Sequence, residues 1–496
     1  MRSQGLATLA TLVTVAALGA LTALAACSGS GAADAPSALP DAPAPPASGS
    51  SDAPPSPDGA APMDGGQPAH PAPLVTLADV AGLSAGPVGC AGASCDAKRA
   101  AFFALLGDLG IHKIRTDLRW SDVEPKRGTF DFSGTDRIVG AARAAGVEVL
   151  GILDYGASWA TTHNDALYPP DHLDDFVTFA TTLATHYDGQ VSEYEVWNEP
   201  NAGFSFWKSS FGGDAKVWGD LTKRTADALR KLPLKTPVTI APGGTVYLSQ
   251  LVPILPPGII PAGTDFARDA FAQNPGLAAS TNAFAFHGYD SYPPRNAPES
   301  AALGEVQLGT KIESTRAMLK NAGAGARPLW LTEIGWPTAN GVDEAAQARW
   351  SVRSLLLGAL GGLDAIYLYT LYDGDSPPAF SFAPEGSFGL AHADGTAKAS
   401  FRAVKGLLAV LGKMTVVGRA KPAGAPGDVY VVELAGAAGE HGYAAWRSDD
   451  GQGPWAWKLP TGFIGTAHAI DGKSLGKVGV EVSVTRDPVY VVEGVN

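Results

Sequence analysis

The stretch "YEVWNEPN", Tyr194 to Asn201, decides how this 496-residue chain is interpreted. Polar and apolar residues alternate from Val191 to Trp197, a pattern that predicts a β-strand. Pro200 then ends the strand pattern. Glu199 therefore lies at the exit of a strand, where it is either a turn residue or a catalyst. The octapeptide alone does not separate these two interpretations.

On either side of this stretch, short β-branched or aliphatic runs alternate with longer amphipathic segments. Eight such pairs predict an α/β fold, a (β/α)8 TIM barrel over residues 74–412. A doubly wound sheet would instead need a Gly-rich phosphate loop after an early strand, and the sequence has none. The predicted strands cover residues 74–83, 113–118, 147–153, 191–197, 237–241, 283–287, 328–332 and 365–371.

Residues 413–496 consist of short alternating runs separated by Gly, Asp and Pro, which predict a small C-terminal antiparallel β-sandwich. This domain is either a structural partner of the barrel or a carbohydrate-binding module that presents Trp446, Trp455 and Trp457.

The first 73 residues are expected to export and tether the folded part. Residues 1–26 form an apolar run with one charge, and "LAAC", Leu24 to Cys27, resembles the bacterial lipobox. We expect a lipoprotein-type signal peptide over residues 1–26 and lipidation of Cys27, with an ordinary signal peptide or a membrane-spanning anchor as the alternative. Residues 27–73, rich in Ala, Pro, Gly, Ser and Asp, are predicted to be a disordered tether. The predicted location is extracytoplasmic, either lipid-anchored at the bacterial cell envelope or secreted.

Cysteine content and charge narrow the class of function. Cys90 and Cys95 are expected to form a disulfide outside the cytoplasm, with two free thiols as the alternative. Two Cys with no nearby His lack the ligands that zinc requires, so we predict no metal site. The net charge of -13 argues against a nucleic-acid partner. The chain has no HExxH or GxSxG motif, and we predict a monomer without a cofactor.

The exits of two predicted strands supply the acidic residues. The fourth strand delivers Asn198 and Glu199, and the seventh, within "PLWLTEIGWP" (residues 328–337), delivers Glu333. Active sites of such barrels lie at the C-terminal ends of the strands. The two exits lie on roughly opposite sides of the barrel mouth, so their carboxyl groups can face each other across a glycosidic bond.

These motifs carry a family resemblance over about residues 74–412. "VWNEPN" and "LTEIGWP" resemble the acid/base and nucleophile motifs of glycoside hydrolase clan A barrels. "RTDLRWSDVEPKRGTFDF" and "LDYGASWA" are closest to family 39 and related bacterial exopolysaccharide hydrolases. The resemblance implies a retaining O-glycosyl hydrolase that cleaves β-linked oligo- or polysaccharide, with Glu199 as acid/base and Glu333 as nucleophile. Glu199 should then have a raised pKa, and Glu333 should stay ionised.

The resemblance also implies roles for neighbouring residues. Asn198 matches the Asn that hydrogen-bonds the sugar 2-hydroxyl, and Arg115 matches the Arg that keeps the nucleophile ionised. The alternative partner of Arg115 is Asp117.

On the rim after the sixth predicted strand, Tyr289 resembles the aromatic hydroxyl that contacts the nucleophile, and Tyr292 is its competitor. His287 is either a substrate contact or a structural histidine.

Aromatic side chains suit sugars because a pyranose presents an apolar C–H face. We predict substrate contacts from four Trp in loops after the strands, namely Trp120, Trp159, Trp207 and Trp336. Many clan members have a Trp at the last strand exit, where this chain has "YLYTLYD", so Tyr369 or Tyr372 is expected to replace it.

Three other functions remain open from the sequence. A non-catalytic barrel could bind surface glycans, a transglycosidase could pass the glycosyl group to another sugar, and a family 5 or family 17 type β-glucanase would fit the "EIGWP" turn.

Overall fold

The computed structural model describes residues 75–202, 205–209, 213–247, 262–289, 294–301, 306–374, 384–449, 451 and 453–494. The predictions for the signal peptide (1–26), the lipidated Cys27, the tether (27–73) and Tyr292 lie outside the described residues.

The barrel strands follow the predicted β/α alternation. They are β1 (Ala81–Ser84), β2 (Lys113–Asp117), β3 (Glu148–Leu153), β4 (Glu193–Val196), β5 (Thr239–Pro242), β6 (Thr245–Val246), β7 (Phe284–His287), β8 (Leu329–Ile334) and β9 (Ala365–Tyr369). Their order in the sheet is β5-β4-β3-β2-β1-β9-β8-β7-β6, and every pair is parallel. The TIM-barrel prediction is therefore confirmed.

Closure of the barrel occurs between β5 and β7. The backbone amides of Asn282 and Ala283 donate hydrogen bonds to the carbonyl oxygen of Ile240, at 3.0 and 3.3 Å. The short strands β5 and β6 follow each other across Gly243–Gly244 and share the fifth position of the barrel. Inside the closed sheet, a separate apolar layer fills the lumen below the mouth with Leu150, Ala241, Ala283, Ala285, Trp330, Ala365 and Tyr367.

Helices cover the outside of the barrel and bury their apolar faces on the strands. They are α1 (Leu77–Val80), α2 (Ala93–Leu109), α3 (Trp120–Val123), α4 (Ser133–Ala144), α5 (Leu173–His186), α6 (Ala215–Leu229), α7 (Gly263–Gln273), α8 (Leu277–Ser280), α9 (Leu308–Asn321), α10 (Glu344–Leu360) and α11 (Ala399–Leu411). Within the described part of the chain, none of them has the length and apolar character needed to span a bilayer.

The first predicted strand, residues 74–83, is only partly correct. Thr76 caps α1, because its hydroxyl accepts a hydrogen bond from the Asp79 amide at 3.3 Å while the Asp79 carboxylate accepts one from the Thr76 amide at 3.0 Å. This reciprocal capping box stabilises one helical turn within an otherwise strand-like sequence. The strand therefore begins at Ala81.

The C-terminal region forms the predicted antiparallel β-sandwich. Its strands are β10 (Thr415–Arg419), β11 (Val429–Ala435), β12 (His441–Arg447), β13 (Trp455–Lys458), β14 (Gly465–His468), β15 (Ser474–Val478), β16 (Glu481–Val484) and β17 (Val489–Glu493). One sheet has the order β10-β11-β12-β17-β14-β15, and β13 pairs with β16. Trp446 and Trp457 are buried, so they form no exposed sugar platform with Trp455, which favours the structural role.

The sandwich packs against α10 of the barrel through a buried ion-pair network. The guanidinium of Arg353 is fully buried and donates to Glu299 at 2.5 Å and to Asp449 at 3.0 Å. Trp350 donates its indole N–H to the same Asp449 at 2.7 Å. Glu299 belongs to the segment after β7, so this network connects the sandwich to a loop on the rim of the barrel mouth.

Candidate active site

A cavity of about 890 Å³ opens at the carboxyl ends of the barrel strands. We call it the catalytic cleft. The predicted residues Arg115, Asn198, Glu199, Tyr289, Glu333 and Tyr369 all line it.

The backbone around Glu199 is held in an unusual conformation. Trp197 and Glu199 have φ angles of 74° and 46°, in the left-handed region that residues with a Cβ rarely adopt. The Glu199 amide donates to the carbonyl oxygen of Gly244 at 3.0 Å, which holds the turn against the neighbouring strand. A Cβ on Gly243 would lie 1.9 Å from the Trp197 carbonyl oxygen, so this close approach requires glycine.

The two predicted catalytic carboxyls meet at the mouth. Glu199 follows β4 and Glu333 lies near the end of β8, and one carboxylate oxygen of each lies within 4.8 Å of the other. This limit on the oxygen–oxygen distance is closer to the separation of about 5–5.5 Å between the carboxyls of retaining glycosidases than to the gap of about 6.5–9.5 Å in inverting ones.

Arg115 connects the nucleophile candidate to a buried acid. Its Nη1 donates to Glu333 at 2.6 Å, its Nη2 to the Asn198 side-chain oxygen at 2.8 Å, and its Nε to Glu195. Asp117, the alternative partner, instead accepts from Arg119 at 3.0 Å. Arg115 thus holds Glu333 from below and fixes the side-chain amide of Asn198.

His287, at the end of β7, contacts both carboxyls. Its Nδ1 is hydrogen-bonded to a Glu199 oxygen at 2.7 Å and lies 3.8 Å from Glu333. Complete burial lowers the His287 pKa to about 4, so the imidazole is neutral near pH 7. His287 is inaccessible to solvent and orients Glu199, which favours the structural alternative over a direct substrate contact.

The two carboxyls have different electrostatic surroundings. Burial raises the pKa of Glu199 to about 7, and the charge of Arg115 opposes this rise. The pKa of Glu333 is also raised, with burial as the largest cause, although the guanidinium of Arg115 opposes this rise. Because only Glu333 touches the guanidinium, we assign the ionised form to Glu333 and the protonated form to Glu199 near neutral pH.

Tyrosine side chains lie near Glu199 and Glu333 in the cleft. Tyr155 accepts a hydrogen bond from the Asn198 amide at 3.0 Å. The Tyr289 hydroxyl is buried and has no hydrogen-bond partner among the described residues, so the expected hydrogen bond to the nucleophile is not formed here. Between the two tyrosines expected near the last strand, Tyr369 lines the cleft and Tyr372 does not.

The prediction that four Trp line the sugar site is wrong. None of Trp120, Trp159, Trp207 and Trp336 lines the cleft.

Each of these rings has other contacts instead. Trp120 and Trp207 are fully buried, and Trp120 donates to Glu124 at 2.7 Å. Trp159 donates to the Glu124 carbonyl at 2.8 Å, and Trp336 to that of Asn296 at 2.8 Å. These loops fold their large apolar rings back onto the barrel wall, because that burial removes more apolar surface from water than the open mouth would.

Sequence reasoning missed Glu195, although it lies within the decisive octapeptide. It is completely buried, contacts Arg115, and accepts a hydrogen bond from Thr332 at 2.9 Å. The alternation of side chains along β4 could have identified it, because Glu195 lies on the same face of the strand as Glu193 and on the opposite face from Tyr194. A charged residue on the inner face of a barrel strand needs a partner, and Arg115 is that partner.

The cluster of Glu199, His287 and Glu333 has the donor types of a metal site. However, Glu333 already faces the guanidinium of Arg115 at 2.6 Å, and His287 is engaged with Glu199. The fixed positive charge opposes a cation at this position, so the donor set does not fit a metal ion.

Cys90 and Cys95 form the expected disulfide, and Cys90 lies on the wall of the cleft.

The sequence is similar to a known glycoside hydrolase family and to several xylanases. The model of the cellulase family, glycosyl hydrolase family 5, matches residues 77–365. Endo-1,4-beta-xylanase C from Phanerodontia chrysosporium is 27% identical over 237 residues, covering 44% of this chain and 56% of that protein. An endo-1,4-beta-xylanase from Agaricus bisporus is 35% identical over 100 residues, covering 19% of this chain and 29% of that protein. The chain thus spans little more than half the length of the first relative and less of the second.

Solved structures share the fold at low sequence identity. A family 39 glycoside hydrolase from Bacteroides cellulosilyticus superposes with a TM-score of 0.64 at 19% identity, covering 85% of this chain and 81% of that one. A monomeric beta-xylosidase from Caulobacter crescentus gives a TM-score of 0.59 at 16% identity, covering 86% of this chain and 98% of that one.

Proposed function

The chain belongs to the cellulase family, glycosyl hydrolase family 5, and from this premise we propose that it is a retaining glycosidase that cleaves a β-linked oligo- or polysaccharide. The observation that carries the proposal is the pair Glu199 and Glu333, whose oxygens lie within 4.8 Å across the cleft in different electrostatic surroundings. A purely glycan-binding barrel would not need a protonated and an ionised carboxyl facing each other.

In the first step, a Glu333 oxygen attacks the anomeric carbon while Glu199 transfers its proton to the leaving glycosidic oxygen. The C–O bond to the leaving sugar breaks, and an ester forms between the substrate and Glu333. Arg115 holds the attacking carboxylate in place, and Glu195 balances part of the guanidinium charge so that Glu333 remains a nucleophile. The second hydrogen of the Asn198 amide can reach a sugar hydroxyl, because the first is used by Tyr155.

In the second step, the ionised Glu199 removes a proton from water, and the water oxygen attacks the anomeric carbon. The ester bond to Glu333 breaks, and both carboxyls return to their starting states. Two inversions give net retention at the anomeric carbon.

The substrate and location are also proposed. Two relatives are named endo-1,4-beta-xylanases, which supports a β-linked polysaccharide as the substrate. We further propose a monomer that Cys27 anchors by a lipid to the cell envelope. Under this proposal Cys27→Ser releases the protein from membranes, and unchanged partitioning contradicts the anchor.

Two variants test the catalytic roles. Glu333→Ala should lose turnover by several orders of magnitude on every substrate, because no covalent intermediate can form. Glu199→Ala should lose turnover on poor leaving groups and regain it with an activated aryl glycoside, which needs no proton. Normal turnover in the first variant, or equal losses on both substrates in the second, would overturn the assignment. Asp269→Asn, an exposed change on α7, is the matched control.

A further inference from the structure

The segment that connects β1 to α2 forms one wall of the catalytic cleft. Residues 84–90 all line the cleft, from the last residue of β1 to the first cysteine of the disulfide. We call this segment the β1 wall. It belongs to the same cavity of about 890 Å³ as Glu199 and Glu333, so a sugar chain bound at the two carboxyls can continue along the wall.

Two arginines hold the backbone of the β1 wall from behind. Arg99 on α2 is buried, and its Nη1 donates to the carbonyl oxygens of Val88 and Cys90 at 2.9 and 2.7 Å. Arg137 on α4 donates to the carbonyl oxygen of Gly89 at 3.1 Å. Three consecutive carbonyls of the wall are therefore fixed by side chains of two different helices.

The disulfide ties the end of the wall to α2. Cys90 is bonded to Cys95 in the first turn of this helix, with the two Cα atoms 5.8 Å apart. Residues 85–90 have no helix or strand of their own, so the disulfide and the two arginines restrict a backbone that would otherwise sample many conformations. Reduction of the disulfide should therefore loosen the wall and leave the barrel strands intact.

The same contacts turn backbone donors toward the cleft. The peptide bonds of the wall are trans, and in a planar trans peptide the N–H points opposite to the C=O. The carbonyls of Val88 and Gly89 point to guanidiniums that do not line the cleft, so the amides of Gly89 and Cys90 point the other way. Neither amide donates a hydrogen bond to a residue in the described part of the chain. The wall thus offers unused donors for the hydroxyl oxygens of a sugar.

An apolar side chain lies beside these donors. Val88 lines the cleft and is 42% exposed. A pyranose presents C–H groups on its face and hydroxyls at its edge, so an exposed isopropyl group next to free N–H groups matches both parts of the ring.

Acidic residues that line the cleft at and after the end of β2 have cationic neighbours. Asp117 accepts a hydrogen bond from Arg119 at 3.0 Å, and the charge of Arg119 also acts on Asp122. The charge of Arg137 acts on Asp131. These pairs leave little net charge that would select a charged sugar, so the ligand expected at the wall is uncharged.

We propose that the β1 wall binds further units of an uncharged β-linked chain, beyond the two sugars that meet at the catalytic carboxyls, and that the Cys90–Cys95 disulfide sets the preference for long substrates by holding the wall in shape. The inference rests on the proposed function for the reaction and adds where the rest of the substrate lies. Sugar hydroxyl oxygens accept hydrogen bonds from the amides of Gly89 and Cys90, and a C–H face packs on Val88. A wall that is already fixed loses little conformational entropy on binding, so these contacts contribute to affinity.

The test compares chain lengths by calorimetry, with the full chain carrying Glu333→Gln to prevent turnover. Xylobiose and xylohexaose form one series, and cellobiose and cellohexaose form the other. In at least one series the hexaose should bind about tenfold more tightly than the biose, because only the hexaose reaches the amides of the wall. Its affinity should change by less than about twofold at about 1 M salt, since no ion pair holds it. No gain in affinity with chain length in either series, or a large loss in salt, overturns the inference.

Two changes locate the effect at the wall. In the same background, Cys90→Ser with Cys95→Ser should weaken hexaose binding at least about fivefold and biose binding much less, because the loosened wall must be ordered on binding. Val88→Arg keeps the disulfide and covers the wall with a long side chain, so it should cause the same selective loss. Asp269→Asn, on the outside of the barrel, should change neither affinity. Equal losses for biose and hexaose, or an unchanged hexaose affinity in both wall variants, contradicts the inference.

Kinetics separate a role in binding from a role in the chemical steps. In the wild-type protein, reduction of the disulfide should raise KM for the hexaose at least about fivefold and lower kcat by less than about twofold, because the reacting carboxyls belong to β4 and β8 and not to the wall. An equal fall in kcat for the hexaose and for a short aryl glycoside would indicate a general disturbance of the barrel and contradict the inference.

The two proposals fail in different ways. If the chain hydrolyses β-linked oligosaccharides without a preference for length, the glycosidase stands and the role of the β1 wall falls. If long chains bind more tightly through the wall but no glycoside is turned over, the inference stands and the catalytic proposal falls.

Discussion

Raising the pH through 7 should switch off the first chemical step of the proposed reaction, because Glu199 then loses the proton that the leaving group needs. The perturbation is the pH itself, and the matched variant is Glu199→Gln. Glu199 is buried and hydrogen-bonded to His287, and burial brings its pKa to about 7. Glu333 contacts the Arg115 guanidinium directly, and this contact favours its ionised form.

The magnitude follows from that shift. The pKa of Glu199 rises from an ordinary value of 4.5 to about 7, and this rise corresponds to a preference of about 3 kcal/mol for the neutral form. At pH 8 only about a tenth of the molecules would carry the proton, so kcat/KM for a poor leaving group should be about tenfold below its plateau. Below pH 6 Glu199 is almost fully protonated, and any acid limb there belongs to another group.

The assay is kcat/KM against pH from 5 to 9 with two substrates, one with a sugar leaving group and one with an activated aryl leaving group. The wild-type protein should show an alkaline limb near pH 7 with the sugar leaving group. Glu199→Gln should show no such limb with the aryl leaving group, because formation of the ester on Glu333 no longer depends on a titrating acid. A limb that persists at the same pH in Glu199→Gln, or a flat wild-type profile with the sugar leaving group, would refute the reasoning.

Three further predictions concern the support of the site. Gly244→Ala should lower kcat by at least about tenfold, because its Cβ would lie 2.3 Å from the His287 ring, whereas Gly140→Ala in open space should not. Glu195→Gln should lower kcat by about ten- to a hundredfold with little change in KM, since the guanidinium loses a buried charged partner. Arg353→Leu should reduce the free energy of unfolding by about 3–5 kcal/mol in urea titration by breaking a buried ion pair, and a loss below about 1 kcal/mol would contradict that role.

The barrel could be predicted from the sequence because its strands are buried on both faces and read as apolar runs. The predicted strand over residues 147–153 became β3 at Glu148–Leu153, and the one over residues 283–287 became β7 at Phe284–His287. The predicted start of the first strand was wrong because the capping box of Thr76 forms a short helix, which the pattern of apolar residues does not reveal. The second segment of the fifth strand, β6, follows Gly243–Gly244, and its two residues form a strand only through pairing with β7, which a local pattern does not reveal.

The catalytic pair could be predicted because two strand exits each deliver an acid to the same mouth of the barrel. Glu199 follows the fourth predicted strand and Glu333 lies at the end of the seventh, and these positions were sufficient to predict that the two acids face each other in the cleft. The Trp prediction failed because a large ring in a rim loop can turn toward the mouth or back to the wall, and only packing decides. Trp120, for example, stacks with Phe179 at 5.8 Å and never reaches the cleft.

The residues that support the site needed the structure for a different reason. Glu195 is an ordinary acid in the sequence, and its importance comes from complete burial beside the charge of Arg115. Burial of a single side chain depends on which strands become neighbours, which a linear pattern does not give.

Covalent labelling tests the central claim most directly. The protein would be incubated with an activated glycoside whose sugar 2-hydroxyl is replaced by fluorine, which slows breakdown of the intermediate, and then digested and analysed by mass spectrometry. A glycosyl adduct on the peptide that contains Glu333, absent in Glu333→Gln, is the predicted result. Turnover of the glycoside without any adduct, or an adduct on a different carboxyl, would contradict double displacement through Glu333.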